Sequence, residues 1–378
     1  MQRKAHVFMV KPTDFCNLDC TYCYSPNRRL RNVIADEALD ALIVRMVEDF
    51  PDDHRFQVVW HGSEPMGVGV DFYRDAIARI RGRLGDRVQF HMQSNLTLLH
   101  DGWLDLLVDE GFSISTSIDG PRAVHDRKRV TLAGGGTFDK VARNIQRLRG
   151  RGLPVAAVLV LSRETLGLGA EIYALLRELG LHVRVNPVLL PEGTPGCLPP
   201  AAFGEFVRDL AERWLADGDS TFYIEPLRGY VLRLVGGAPL MCEQQALCFE
   251  HMIGVGTDGG LYPCNRFVGG DDLRLGNIRD TSIRSLPLHP VAQRTARRHL
   301  DSAKCRSCHL VDVCQGGCMY HAHAIYGDAF REDYFCESYV ILYDFVIRNL
   351  GALLRRLEGI PRNRDLDELV AALETTAA

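Results

Sequence analysis

Three thiols fall within eight positions near the start of the chain: Cys16, Cys20 and Cys23, in the stretch KPTDFCNLDCTYCYSP. A structural zinc site takes four ligands, commonly from two knuckles, whereas C-x3-C-x2-C offers three from one loop. Zinc completed by a distant fourth ligand fits that spacing. So does an iron–sulfur cluster, in which three thiolates would leave one iron open to a substrate or cofactor. The second arrangement makes the loop a candidate catalytic site.

The other cysteines favour metal over disulfides. Of the twelve in the 378-residue chain, nine lie beyond this loop: Cys197 stands alone, and the other eight crowd between Cys242 and Cys336. A chain of this length needs no disulfide staples, and cytosolic thiols are kept reduced. The N-terminal MQRKAHVFMVKP has too short an apolar run for a signal peptide, and no later stretch reaches membrane-spanning length, so a cytoplasmic protein without a membrane partner is expected. A net charge of -4 provides no broad basic field for nucleic acid, and clusters such as RIRGRL read as solvated helix faces.

The elements that must position the first loop alternate. Strand-like runs occur at 5–11, 55–60, 87–93, 112–118, 154–161 and 182–188, separated by amphipathic helical patterns such as ADEALDALIVRMVEDF and TFDKVARNIQRLRG. Six strands alternating with helices predict a parallel α/β sheet, either doubly wound or curved into a partial barrel. From about residue 235 the pattern gives way to glycine- and cysteine-rich loops without apolar mass for a core, where bound metal must substitute. A helix over YVILYDFVIRNLGALLRRLEG closes the chain. The expected domains are 1–234, 235–345 and a helical tail over 346–378.

At this point the chain resembles the radical S-adenosylmethionine superfamily, whose signature is C-x3-C-x2-C followed by an aromatic, here Tyr24. The resemblance implies a partial (β/α)6 barrel and a [4Fe-4S] cluster on Cys16, Cys20 and Cys23 that chelates S-adenosylmethionine. HGSEP resembles the family's GGEP turn, which places Gly62, Ser63 and Glu64 by the methionine amino group. QSNLTLL, with Gln93 and Asn95, resembles QTNGTLL. SIDGP, with Ser117 and Asp119, resembles the segment whose serine touches the ribose, and HDRKR…GGGTF makes Arg129 the candidate for the methionine carboxylate.

The later cysteines are similar to the SPASM extension found in anaerobic sulfatase-maturating enzymes. Carried over, the pattern puts Cys242, Cys248, Cys264 and Cys318 on one auxiliary cluster and Cys305, Cys308, Cys314 and Cys336 on another, for three [4Fe-4S] clusters in all. Cys197 is left without a role. Implied chemistry is hydrogen abstraction from a peptide or protein by a 5′-deoxyadenosyl radical, with electrons from an external flavodoxin- or ferredoxin-type donor. An oxidation or cross-link on a ribosomally made peptide is the first expectation. Formylglycine formation on a sulfatase, or oxidation or epimerisation of a small metabolite, are the alternatives. Because the chain starts directly with its first strand, a leader sequence is expected to be held by the barrel and SPASM surfaces or by a separate protein. The sulfatase maturases carry an aspartate directly after the cysteine of YPC, as the base for the substrate thiol or hydroxyl; here the residue is Asn265. An amide cannot serve as that base, so formylglycine is not the expected product, unless His61 or His251 supplies the base.

Overall fold

A computed structural model describes residues 5–357 apart from 26, 219–221, 238, 240 and 271–272. The helical tail expected to the C-terminus thus lies outside the described residues from 358 on. Along the chain, β1 (His6–Val10), α1 (Asp36–Glu48), β2 (Phe56–Trp60), α2 (Val70–Leu84), β3 (Val88–Gln93), α3 (Asp101–Asp109) and β4 (Ser113–Ser117) come first. Then follow α4 (Arg122–Lys128), α5 (Phe138–Gly150), β5 (Val155–Leu161), α6 (Gly169–Leu179), β6 (His182–Pro187), α7 (Pro200–Asp217), β7 (Ile224–Glu225) and α8 (Leu227–Leu234). The cysteine-rich part holds β8 (Met252–Val255), β9 (Gly260–Tyr262), β10 (Gly276–Asn277), α9 (Pro290–Asp301), α10 (Ala303–Arg306), α11 (Val311–Cys314), α12 (Met319–Tyr326), α13 (Cys336–Arg348) and α14 (Leu350–Arg356).

These elements form two compact units. The first takes residues up to Ile118, Arg122–Ala156 and Leu247–Ala296. Its sheet runs β10-β9-β8-β1-β2-β3-β4, with β1 to β4 parallel and in register from His6↔Phe56 to Gln93↔Ser115. Alternation of buried and half-buried residues in β1 and β2 sends Phe8, Val10, Phe56, Val58 and Trp60 to one face. The helices carry matching apolar stripes: Leu39, Leu42 and Met46 on α1, Tyr73, Ile77 and Ile80 on α2, Trp103 and Leu107 on α3, at the three-to-four-residue spacing of one helix face. The opposite face of the strands keeps polar side chains, among them His91, Gln93, Ser115 and Ser117. Parallel strands direct their C-terminal ends, and the loops that follow them, to one edge.

The hairpin β8–β9 was not expected from the sequence. β8 pairs parallel with β1, from Val7↔Met252 to Val10↔Val255, and β9 turns back antiparallel. Strands of four and three residues, rich in glycine, fall below the length at which alternation is readable. The hairpin nonetheless matters most for the site, because Cys264 and Asn265 follow β9 directly.

The second unit takes Asp119–Pro121, Ala157–Ala246 and the residues from Arg297 on. It contains the parallel pair β6 and β7 and a helical layer in which Phe203, Phe206 and Leu210 of α7 are buried with Tyr339, Leu342 and Val346 of α13. The final helix expected from the sequence is broken at Asn349, whose φ of -114° and ψ of 17° separate α13 from α14. Among the described residues no helix is long and apolar enough to cross a membrane.

Candidate active site

The cysteine loop follows β1 and is held from behind by arginines. Arg29 Nη1 donates to the carbonyls of Cys16 at 3.2 Å and Leu18 at 3.0 Å, and Arg28 Nη1 to that of Cys20 at 3.5 Å. Both guanidinium groups also pair with Asp19. With its carbonyls engaged this way the loop keeps a fixed path, and the thiols of Cys16, Cys20 and Cys23 share one electrostatic environment. Burial, the Glu64 carboxylate and the two neighbouring sulfurs together push the Cys16 thiol up to about 12. Such a thiol ionises only when a cation or metal takes the charge.

The segment after α4 closes the loop's other side. Asp19 N donates to Val130 O at 2.8 Å and Thr21 N to Lys128 O at 3.0 Å. Arg129, only 8% exposed, lies over the Tyr22 ring at 5.4 Å. Its burial beside the loop suits it to an anionic ligand group.

The turn after β2 approaches from the sheet. Gly62 and Ser63 both adopt positive φ, 97° and 53°, and a Cβ at Gly62 would stand 3.0 Å from Lys11 Cγ and 3.1 Å from Asn265 Oδ1. Glycine is required there for both reasons. Ser63 Oγ donates to Asp14 O at 2.9 Å. Glu64 is fully buried: Oε1 accepts from Ser94 Oγ at 2.7 Å and Met66 N at 3.0 Å, and Oε2 from Asn95 N at 2.8 Å. Burial pushes the carboxyl up to about 7, with those hydrogen bonds working in the opposite direction. Glu64 is therefore a strut between the ends of β2 and β3, which leaves the turn's backbone to face a ligand.

Asn95 extends the same network. Its Nδ2 donates to Asn17 Oδ1 at 3.0 Å, inside the cysteine loop, and Asn17 Nδ2 donates to Thr97 Oγ1 at 2.7 Å. Gln93 donates to Ser117 Oγ at 3.3 Å and accepts from Ser115 Oγ, which in turn meets His91 Nε2 at 2.7 Å. Asn17, Ser94 and Thr97 escaped sequence reading because single polar residues in loops carry no periodic signal. Asp119 falls in the second unit, where its carboxylate accepts from Val160 N at 3.2 Å.

The third wall comes from the unexpected hairpin. Asn265, 4% exposed, directs Nδ2 toward Tyr24 Oη at 3.4 Å and His61 Nδ1 at 3.3 Å. Its Oδ1 is buried and has no hydrogen-bond partner. Burial first, then His91 and Arg266, lower the His61 imidazole to about 4, so it is neutral near pH 7. His251, by contrast, lies beside His6 at the start of β1 and β8, away from the cysteine loop.

Of the later cysteines, Cys248 and Cys264 belong to the first unit, and Cys242, Cys305, Cys308, Cys314, Cys318 and Cys336 to the second. Burial raises the thiols of Cys305, Cys314 and Cys336; Cys305 adds to the rise of Cys314, and Cys336 to that of Cys305. Among the described residues no group of three donors stands close enough to hold one metal ion. A multi-iron cluster spreads its thiolates over several irons, and sulfurs that influence one another without converging on one point suit that donor set.

Residues 10–176 match the radical SAM superfamily, and 248–309 match the SPASM iron–sulfur cluster-binding domain. The chain thus carries radical SAM and SPASM domains, the class of enzyme that uses a [4Fe-4S] cluster and S-adenosylmethionine. Among curated proteins it is 24% identical to the cysteine-type anaerobic sulfatase-maturating enzyme of Clostridium perfringens, over 90% of this chain and 96% of that protein. It is 27% identical to the serine-type anaerobic sulfatase-maturating enzyme of Klebsiella aerogenes, over 94% and 88%. Among solved structures, native anSMEcpe with bound AdoMet and Kp18Cys peptide superposes with a TM-score of 0.82 at 22% identity, covering 93% of this chain and 99% of that one. Streptococcus suis SuiB bound to its precursor peptide SuiA gives 0.63 at 15% identity, covering 88% and 76%. At these identities the two structures establish the fold.

Proposed function

We propose that this chain oxidises or cross-links a residue of a ribosomally made peptide, with formylglycine formation disfavoured by the asparagine that follows Cys264. In this reading Cys16, Cys20 and Cys23 hold the first [4Fe-4S] cluster and the eight cysteines from Cys242 to Cys336 hold two more, in a domain spanning 235–345. Gly62, Ser63, Gln93, Asn95, Ser117 and Arg129 line the S-adenosylmethionine pocket, and Glu64 braces it. When bound, the cluster and S-adenosylmethionine supply a 5′-deoxyadenosyl radical that removes a hydrogen atom from an unactivated carbon.

The observation that carries the reading is the neutral trio of Tyr24, His61 and Asn265 beside the cysteine loop. An amide with one unpaired buried oxygen can accept a peptide N–H or hydroxyl, but it takes no proton at pH 7. His61 is held at about 4, and its Nδ1 already accepts from the Asn265 amide, so that lone pair is engaged. Arg129 and the turn amides orient the anionic and cationic ends of a ligand, and the Glu64–Ser94–Asn95 strut keeps both walls in place. The reduced thiols this chemistry needs agree with a cytoplasmic enzyme supplied by a flavodoxin- or ferredoxin-type donor, with a separate protein as one means of presenting a leader sequence.

A second reading, formylglycine formation, is favoured by the likeness to the cysteine-type and serine-type anaerobic sulfatase-maturating enzymes. The test is incubation of the anaerobically reconstituted chain with short peptides encoded beside its gene. The proposal expects loss of two hydrogens from one peptide, dependent on S-adenosylmethionine and reductant. Modification of a small metabolite alone would overturn it.

A further inference from the structure

Arg298, on α9, is only 2% exposed. Its Nη1 donates to Arg331 O at 3.2 Å, Nη2 donates to Gly317 O, and Nε is buried without a hydrogen-bond partner. Among the described residues no carboxylate lies in ion-pair range of it. Burying a cation without a counter-charge is costly, and two carbonyls offset only part of that cost. Both carbonyls belong to segments that carry thiols: Gly317 lies between Cys314 and Cys318, and Arg331 precedes Cys336.

We propose that Arg298 is a positioning residue for an auxiliary iron–sulfur cluster on Cys305, Cys308, Cys314 and Cys336, where its guanidinium clasps the ligand loops and its charge favours the reduced cluster. The proposal rests on the reading that these four cysteines hold a cluster. Four thiolates give such a cluster a net negative charge that grows by one on reduction, so a buried cation beside it raises the reduction potential. The paired functions are separable, because clasping the carbonyls needs only N–H donors, whereas tuning needs the charge. Lys304 supplies a second, weaker contribution: it donates a hydrogen bond to the Cys336 sulfur from a more exposed position.

The experiment is an EPR-monitored redox titration of the reconstituted full chain carrying Cys16→Ala, Cys20→Ala and Cys23→Ala. The relevant signal is the one lost on adding Cys308→Ala. Arg298→Gln, which keeps donors and loses charge, should lower the reduced-to-oxidised ratio at fixed potential about tenfold, or about 59 mV for a one-electron couple. Arg298→Lys, which keeps the charge, should stay within about twofold of the parent. An unchanged potential in Arg298→Gln, or equal falls in both variants, would overturn the proposal. If Arg298→Gln holds no cluster, Lys304→Gln decides: the same ratio must fall about two- to threefold, and no change counts against the tuning role. Absence of any signal that depends on Cys308, with iron near eight rather than about twelve atoms in the unsubstituted chain, would overturn the ligand assignment and this proposal with it.

Discussion

The side-chain amide of Asn265 meets the imidazole of His61 at 3.3 Å, although 204 positions separate them in the chain. The contact exists because β8 adds to the edge of β1, so the residue after Cys264 arrives beside the turn after β2. Gly62, which has no Cβ, leaves room for it. The consequence is a polar, uncharged pocket wall where a carboxylate would have made a base.

Restoring that carboxylate should change both stability and product. Asn265→Asp removes a donor toward Tyr24 and His61 and buries a charge, so a loss of about 1–3 kcal/mol is expected. The acid also lies next to His61 and should raise its pKa. Thermal unfolding should show the loss, and mass spectrometry should show at least about a tenfold gain in formylglycine on a sulfatase-motif peptide. Asn265→Ala should leave 5′-deoxyadenosine release in place while lowering peptide product.

The Glu64 strut makes a separate prediction. In Glu64→Gln an NH2 group replaces an acceptor that faces Ser94 Oγ and Met66 N, or Asn95 N. A donor then confronts a donor in a buried site, at about 1–3 kcal/mol. Chemical denaturation should show a lower midpoint with an unchanged slope.

Much of this site could be read from the sequence, and the reason is chemical. The cysteine loop, the HGSEP turn and the QSN segment each use residue types that serve few other purposes at their spacing, and the first six strands each run five residues or more. The arginine braces Arg28 and Arg29, the Asn17–Asn95 tie and the His61–Asn265 contact depend on which loops meet, which local patterns do not encode. The β8–β9 hairpin was too short and glycine-rich to announce itself. Arg298 reads as one of several arginines on an amphipathic helix, and only its burial marks it.

Acid should destabilise the metal-free chain. Burial lowers His6 to about 3 and His61 and His91 to about 4. Their unfolded forms therefore bind protons that the folded chain refuses, and the stability this represents is lost as pH falls from about 6.5 to 4. Glu64, raised to about 7, works in the other direction: its contribution is full below about 4.5 and is lost as pH rises through 7. Three imidazoles outweigh one carboxyl, so stability should climb between pH 4.5 and 6.5, by about 1.4 kcal/mol per pH unit for each net proton. Glu64→Gln should steepen that climb. Denaturant melts across the range would show it, and a falling profile would contradict these assignments.

The two cysteine regions should divide the labour. Cys16→Ala, Cys20→Ala or Cys23→Ala should abolish 5′-deoxyadenosine formation, because the open iron requires those three thiolates. Cys314→Ala should retain some cleavage and lose peptide product. Chromatography of the reaction mixtures separates the cases, and equal loss of cleavage in folded, cluster-loaded variants of both regions would contradict the division.

The most direct measurement is incubation of the reduced, reconstituted chain with S-adenosylmethionine and a peptide carrying a sulfatase motif, followed by mass spectrometry of the peptide and assay of 5′-deoxyadenosine. With Asn265 standing where a carboxylate would serve as base, nucleoside release with no more than trace formylglycine is expected. Robust conversion of the motif's cysteine or serine to formylglycine would show that this site needs no aspartate, and the account of its function would fail.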